Sequence, residues 1–299
     1  MPPRLAIVVL NWNGARETAR CLAALAAAGE ADWELTVLDN GSRPPEADRL
    51  RPLLPANARL LETPENLGFA GGVNRCLRAI RERRGGDAPY YVLLNNDAEV
   101  TPGLLGRLIA PLERDPAIGI VGPSVHARPG DPRPLGAGWI RWRTGATPYA
   151  SADGTRAFQE CDVVHGCCFL FRGELLSRVG WLDESYFAYY EETDFCVRAR
   201  RAGYRVGIVP DAVVYHEGSV SADRVSGLRE YLMLRNRMLF VRRHGSRAQA
   251  LSTVLHVLLV YAPRRLLRAL LHRQPEVVPA LWRGFWAGVR GRAGRPEGV

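Results

Sequence analysis

Lysine is missing altogether: every one of the 40 basic residues in this 299-residue chain is arginine. Such a bias reflects a GC-rich genome, points to a bacterium, and marks no site. Paired cysteine spacings are missing too. Cys21, Cys76, Cys161, Cys167, Cys168 and Cys196 form no C-x-x-C, which excludes a zinc knuckle or redox dithiol and leaves buried free thiols. Long apolar runs are also lacking. Leu5 to Leu10 is too short for the core of a signal peptide, and Val254 to Ala262 falls well short of the ~20 residues that span a bilayer. The expectation is a chain that stays in the cytoplasm without a transmembrane helix.

What is present bounds the class further. With 47% hydrophobic and 24% charged residues the chain can bury a large core, and its length fits one α/β domain with an appendage. The formal charge of +9 sits at one end. From Arg242 onward 11 Arg face only Glu276 and Glu297, which leaves 29 basic and 29 acidic residues before that point, out of totals of 40 and 31. A basic tail suits nucleic acid, anionic lipid or an acidic partner. Here Arg alternates with Leu, Val and Trp, which favours a membrane surface over nucleic acid. Between Tyr261 and Leu271 the alternation has near-helical spacing, and Trp282 and Trp286 follow. This segment reads either as a helix lying in the lipid headgroup layer or as a helical subdomain packed on the core or on a second copy in a homo-oligomer.

Along the chain, apolar runs hand over to polar turns. Leu5 to Leu10, Leu35 to Leu38, Leu60-Leu61 and Tyr90 to Leu94 read as strands, and Ala15 to Ala28, Phe69 to Arg84 and Leu104 to Leu112 as helices. Ile118 to Val121 and Val163 to Phe171 predict further strands, separated by an aperiodic loop region from His126 to Glu160 that is rich in Gly, Pro, Arg and Trp. Glu191 to Ala202 predicts a helix, Tyr204 to Val209 and Ala212 to Tyr215 two last strands, and Leu228 to Arg243 a helix. The alternation predicts an α/β fold with a mostly parallel sheet and ligand sites at the carboxyl ends of its strands.

Polar residues at those ends are the candidates for chemistry. Asp39 can accept hydrogen bonds from a base or ribose, or simply close an Asx turn in D-N-G-S. The loop from Glu65 to Asn74 carries Gly68, Gly71 and Gly72 where it enters a helix, so it either lets backbone N–H groups approach a ligand or caps the helix. Asn95-Asn96-Asp97 ends a strand, in position to hold a hard divalent cation or to make a plain turn between strand and helix. Glu191-Glu192-Thr193-Asp194 opens a helix, where carboxylates are favoured in any protein. The aromatic run before it, Trp181 to Tyr190, could raise a carboxylate's pKa toward that of a general base. His216, ahead of Glu217-Gly218-Ser219, is a structural histidine or a ligand for a manganese-like ion.

Taken in order, these blocks resemble the family-2 glycosyltransferases of the GT-A fold, and in particular their rhamnosyltransferase-like branch. The similarity runs from Ile7-Val8-Val9-Leu10-Asn11-Trp12-Asn13-Gly14 through Val37 to Ser42, Asn66 to Asn74, Leu93 to Asp97, Gly166 to Arg172 and Glu191 to Arg198, to His216-Glu217-Gly218-Ser219, covering about residues 4 to 240. The resemblance implies a GT-A catalytic domain over residues 1–243, followed by a basic helical region over 244–299. It implies an inverting, metal-dependent transfer of a hexose such as rhamnose from a dTDP- or UDP-sugar to a glycan or lipid-linked hydroxyl in polysaccharide synthesis. Asn11, Asp39, Asn66, Gly68, Phe69, Gly71, Asn74, Asn95 and Asn96 would bind the nucleotide-sugar. Asp97 and His216 would hold Mg²⁺ or Mn²⁺. Glu192 would be the base, with Glu191 the alternative, and Asp194 would belong to the same catalytic group. A nucleotidyltransferase would need a basic Gly-rich N-terminal loop, yet Leu5 to Gly14 has one Gly and no Arg. A non-catalytic sugar-nucleotide-binding protein would have no need of Asp97, Glu192 and His216 together.

Overall fold

The computed structural model describes residues 4–29, 32–131, 134–216 and 227–296. Leu5–Asn11 (β1) is apolar on both faces because both are covered. It pairs in parallel with Trp33–Asn40 (β2) and with Tyr90–Asn95 (β4), and β2 pairs with Ala58–Thr63 (β3). The helices Ala15–Ala27 (α1), Ala47–Leu50 (α2) and Gly68–Arg84 (α3) connect these strands. Leu5, Ile7 and Val9 pack with Cys21, Leu22 and Leu25 of α1, whereas Ala6 and Val8 pack with Ala70, Val73 and Leu77 of α3. Each fully buried Leu or Val contributes roughly 1.5–3 kcal/mol, so this two-sided burial fixes the strand's place in the sheet's interior.

The remaining elements differ from the sequence expectation in instructive ways. Asn95-Asn96-Asp97 does not lead directly to a helix. It turns into a short strand, Ala98–Val100 (β5), before Leu104–Arg114 (α4) and Ile118–His126 (β6). Two small strands, Ala137–Gly138 (β7) and Tyr149–Ala150 (β8), pair within the aperiodic region, and Gln159–Glu160 (β9) closes it. The strand expected over 163–171 is confined to Cys168–Arg172 (β10), and it enters between β4 and β6 antiparallel to both. Among the described residues nine strands thus form one mixed sheet, in the order β3-β2-β1-β4-β10-β6, then Arg205–His216 (β11), then β5, with β9 also on β11. The two final strands expected from the sequence are this single β11. A shift of register between Val209 and Val213 absorbs the Pro210-Asp211 interruption.

Leu175–Arg178 (α5) and Glu191–Arg201 (α6) follow β10, and Leu228–His244 (α7) follows β11. Arg247–His256 (α8) runs through a π-turn at Val257–Tyr261 into Ala262–Leu271 (α9), and Val277–Val289 (α10) returns along α7. Leu234 and Met238 of α7 form a separate small core with Val257, Ala269, Leu281 and Phe285. The outer side of α8 and α9 is uncovered: Leu251, Leu255, Leu259, Leu267, Leu270 and Leu271 are exposed. No helix among the described residues is long and apolar enough to cross a membrane. Residues 217–219 lie outside the described residues.

Candidate functional site

The parallel strands β1, β2 and β4 all end in asparagine, and a cavity of about 510 Å³ opens beyond them. Two devices shape its floor. At the first, Asn11 donates to Asp39 Oδ1 at 3.2 Å, Ser42 at 3.2 Å and Glu46 at 3.0 Å, while Asp39 Oδ2 accepts from the Glu46 N–H at 2.8 Å. Asn11 and Asp39 are buried and face each other rather than the cavity. At the second, Asn40 donates to Asn66 Oδ1 at 3.2 Å and to the Gly68 carbonyl at 3.0 Å, and accepts from the Leu67 N–H at 3.1 Å. This ties the β3–α3 loop onto β2. Gly68 has φ +74°, and a Cβ there would lie 2.4 Å from the Phe187 carbonyl oxygen, so only glycine fits.

The antiparallel pairing of β5 with β11 sets His216 opposite Ala98 and therefore beside Asp97. His216 Nε2 lies 3.1 Å from Asp97 Oδ1, and the Asn95 amide lies 3.5 Å from the same nitrogen. Because β10 begins at this edge, its approach brings His165 to within 5.7 Å of His216, ring centre to ring centre. Burial and then His216 push the His165 pKa down to about 4, so it is neutral, and its Nδ1 accepts the Cys167 N–H at 3.2 Å. Among the described residues no group of three or more His, Cys, Asp or Glu side chains gathers as a closed metal site. One carboxylate and one imidazole suit a hard divalent cation whose other positions are filled by phosphate oxygens and water.

Facing this pair is the start of α6. The loop before it is strained: Phe187, Tyr189 and Tyr190 have φ of +65°, +69° and +75°, a cost of order 1–3 kcal/mol each. It is held by α7, where Asn236 Nδ2 lies 2.7–2.9 Å from the carbonyls of Tyr186, Ala188 and Tyr189, and Arg235 donates to that of Tyr186 at 2.8 Å. Glu191 and Glu192 both line the cavity. Burial, and then the charge of Glu192, hold the Glu191 carboxyl well above the usual carboxylate range, and its Oε2 has no hydrogen-bond partner among the described residues. Burial raises Glu192 as well, but the helix's opening N–H groups oppose it, and its pKa settles at about 6. Two adjacent glutamates thus differ in ionisation near neutral pH.

Of the residues singled out in the sequence, Asn66, Gly68, Phe69, Asn95, Asn96, Asp97, Glu191, Glu192 and His216 meet in this cavity, whereas Asn11, Asp39, Gly71, Asn74 and Asp194 stand behind its wall. Asn74 donates to the Leu182 carbonyl at 2.8 Å and to Glu184 at 2.9 Å. Asp194 is bound by Arg198 at 2.7 Å and His244 at 2.6 Å, which consumes its carboxylate. Trp12, Asn40, Tyr149, His165 and Arg229 also line the cavity and were not anticipated. Asn40 could have been, as the residue closing β2; His165 and Tyr149 reach the cavity only through the path of β7 to β10.

A strand-end cavity lined by both an Asp–His pair and paired glutamates, set in this mixed sheet, goes with an α/β fold of the GT-A type. The family description "Glycosyl transferase family 2" matches residues 6–180, more than half of the chain, and the protein belongs to that family. Within that family it is similar to a rhamnosyltransferase and to a hexosyltransferase. It is 29% identical over 247 residues to an N-acetylglucosaminyl-diphospho-decaprenol L-rhamnosyltransferase of Mycobacterium tuberculosis, across 74% of this chain and 78% of the relative. It is 25% identical to a low-salt glycan biosynthesis hexosyltransferase of Haloferax volcanii, across 98% of this chain and 93% of the relative. The fold is similar to that of a mannosyltransferase from Pyrobaculum calidifontis solved with GDP-Man and Mn²⁺, with a TM-score of 0.59 at 18% identity over 98% of this chain and 88% of that one.

Proposed function

We propose that this protein is an inverting, metal-dependent glycosyltransferase that moves rhamnose or a related hexose from a dTDP- or UDP-sugar to a hydroxyl of a glycan or lipid-linked acceptor in cell-surface polysaccharide synthesis. The observation that carries the reading is that one cavity holds both an Asp97–His216 pair and two glutamates whose ionisation differs. The relatives' activities agree with it, including one on a decaprenyl diphosphate-linked sugar. Asn66, Gly68, Phe69, Asn95 and Asn96 line the donor pocket, with Trp12 and Asn40 beside them, while Asn11, Asp39, Gly71 and Asn74 hold its frame. Asp97 and His216 would hold Mg²⁺ or Mn²⁺, which when bound neutralises charge on the departing diphosphate.

In the transfer, the acceptor oxygen bonds to the anomeric carbon from the face opposite the diphosphate. The carbon–oxygen bond to the diphosphate breaks, and the acceptor's proton passes to Glu192. Glu191, protonated at neutral pH, offers a hydrogen bond rather than a charge, so two carboxylates side by side do not repel. Asp194 acts by fixing the helix that carries both. Residues 1–243 form the catalytic domain. Residues 244–299 attach it to the inner face of the membrane: the exposed leucines of α8 and α9 stand beside Arg264, Arg268 and Arg273, a combination that suits anionic headgroups and brings the cavity to a lipid-linked acceptor.

A thermal-shift series with nucleoside diphosphates and Mn²⁺ tests the donor side. One of dTDP or UDP should stabilise the wild type selectively, by about 2.7 kcal/mol at a hundredfold excess over Kd. The Asp97→Ala variant should lose both that stabilisation and product formation. Undiminished transfer by Asp97→Ala would remove the metal from the proposal.

A further inference from the structure

A second cavity, of about 570 Å³, opens between α7, α10 and the tail that follows α10, and it shares no lining residue with the first. Five of its lining residues are arginines, from three stretches of the chain, and none is acidic. They fall into two groups. Arg235 is buried and spent on structure: it donates to the Gly294 carbonyl at 2.7 Å and to that of Tyr186 at 2.8 Å, which fixes the tail against α7. Arg295 pairs with Glu65.

Arg283, Arg290 and Arg292 form the second group. They are exposed, and among the described residues no carboxylate pairs with them. Arg283 lies 5.9 Å from the Tyr231 ring and Arg290 5.5 Å from that of Trp286, so aromatic faces orient two guanidiniums without consuming their N–H edges. Trp282 and Trp286, 39% and 49% exposed, add indole surface to the same wall. Guanidiniums gathered in a concave site with no acid to balance them match an anion with several oxygens, and their fork matches phosphate in particular.

We propose that this cavity is a binding site for a phosphate-bearing anion, separate from the catalytic cavity. Its ligand is either the headgroup of an anionic lipid or a soluble phosphate or diphosphate, which present the same group to Arg283, Arg290 and Arg292. The site lies next to the tail that Arg295 links to Glu65, one residue from Asn66 of the donor pocket.

The test uses the full chain in metal-free buffer with two probes: inorganic pyrophosphate by calorimetry, and vesicles of phosphatidylcholine with or without phosphatidylglycerol by flotation. The Arg283→Ala/Arg290→Ala/Arg292→Ala variant is compared with Arg59→Ala/Arg114→Ala/Arg178→Ala, which removes equal charge from exposed positions of β3, α4 and α5. The cavity variant should weaken pyrophosphate binding, or the phosphatidylglycerol-dependent part of flotation, at least tenfold, and the control variant less than threefold. The single reversal Arg292→Glu should weaken it at least fivefold. Stabilisation by nucleoside diphosphate with Mn²⁺ should be the same in the cavity variant as in the wild type, which reports an intact fold and donor pocket. Pyrophosphate binding alone identifies a soluble ligand, and flotation alone a lipid headgroup. Failure of the wild type to bind either probe, or equal losses in the two triple variants, overturns the proposal.

Discussion

At the scale of single residues, the neighbouring carboxyls of Glu191 and Glu192 carry the proposed chemistry. Glu192, with its pKa pushed up to about 6, is protonated in mild acid and ionised at neutral pH. A base must be ionised, so the transfer rate should climb as pH rises through about 6 and level off above it. The Glu192→Gln variant should keep its stabilisation by nucleoside diphosphate with Mn²⁺ and lose roughly 10²–10⁴-fold in kcat. Steady-state rates across pH 5–8 check both; an inactive Glu191→Gln beside an active Glu192→Gln would exchange the two roles. These residues were legible beforehand, as were Asn66, Asn95 and Asp97, because each closes or follows a recognisable apolar run. His165 and Tyr149 were not, since nothing near them in sequence says that β10 enters the sheet in reverse. Asp39 and Asn11 were visible as polar residues at strand ends, but only the structure reveals that Glu46 and Ser42 turn them inward.

At the scale of elements, α6 and α7 are joined through Asp194. Burial alone would raise this carboxyl; the hydrogen bond from His244 and the charge and hydrogen bond of Arg198 outweigh it and hold its pKa below the ordinary Asp value. A depressed pKa stabilises the fold above the unfolded-state value, and the effect fades as pH falls through the lower folded one. Removing one partner of a buried pair costs about 3–5 kcal/mol, so Asp194→Asn should lower the unfolding free energy by roughly 3 kcal/mol at pH 7. The gap to wild type should narrow below pH 4. Urea titrations at pH 7 and pH 3 read this, and an equal gap at both would remove Asp194 from the account of acid sensitivity. Helix and strand positions were largely readable from the alternation of apolar and polar residues. The antiparallel entry of β10, the fusion of two expected strands into β11 and the grip of Asn236 on the aromatic loop were not, because each depends on partners 40 or more residues away.

At the scale of the whole molecule, the C-terminal helical segment after α7 meets two environments. Its inner side packs on α7 through Leu281 and Phe285, and its outer side presents leucines to solvent. Both sequence alternatives for this segment, lipid contact and packing, therefore have a physical basis on different faces of it. Flotation with phosphatidylglycerol vesicles should recover the full chain and lose a variant ending at residue 244. Equal recovery would dismiss the membrane attachment.

The strained turn ahead of Glu191 is clamped by carbonyl contacts from Arg235 and Asn236, which leave the ribosome some forty residues later. A nascent polypeptide that already carries both glutamates still lacks the brace that positions them, so this wall of the cavity takes shape late in translation, after α7 has emerged and docked.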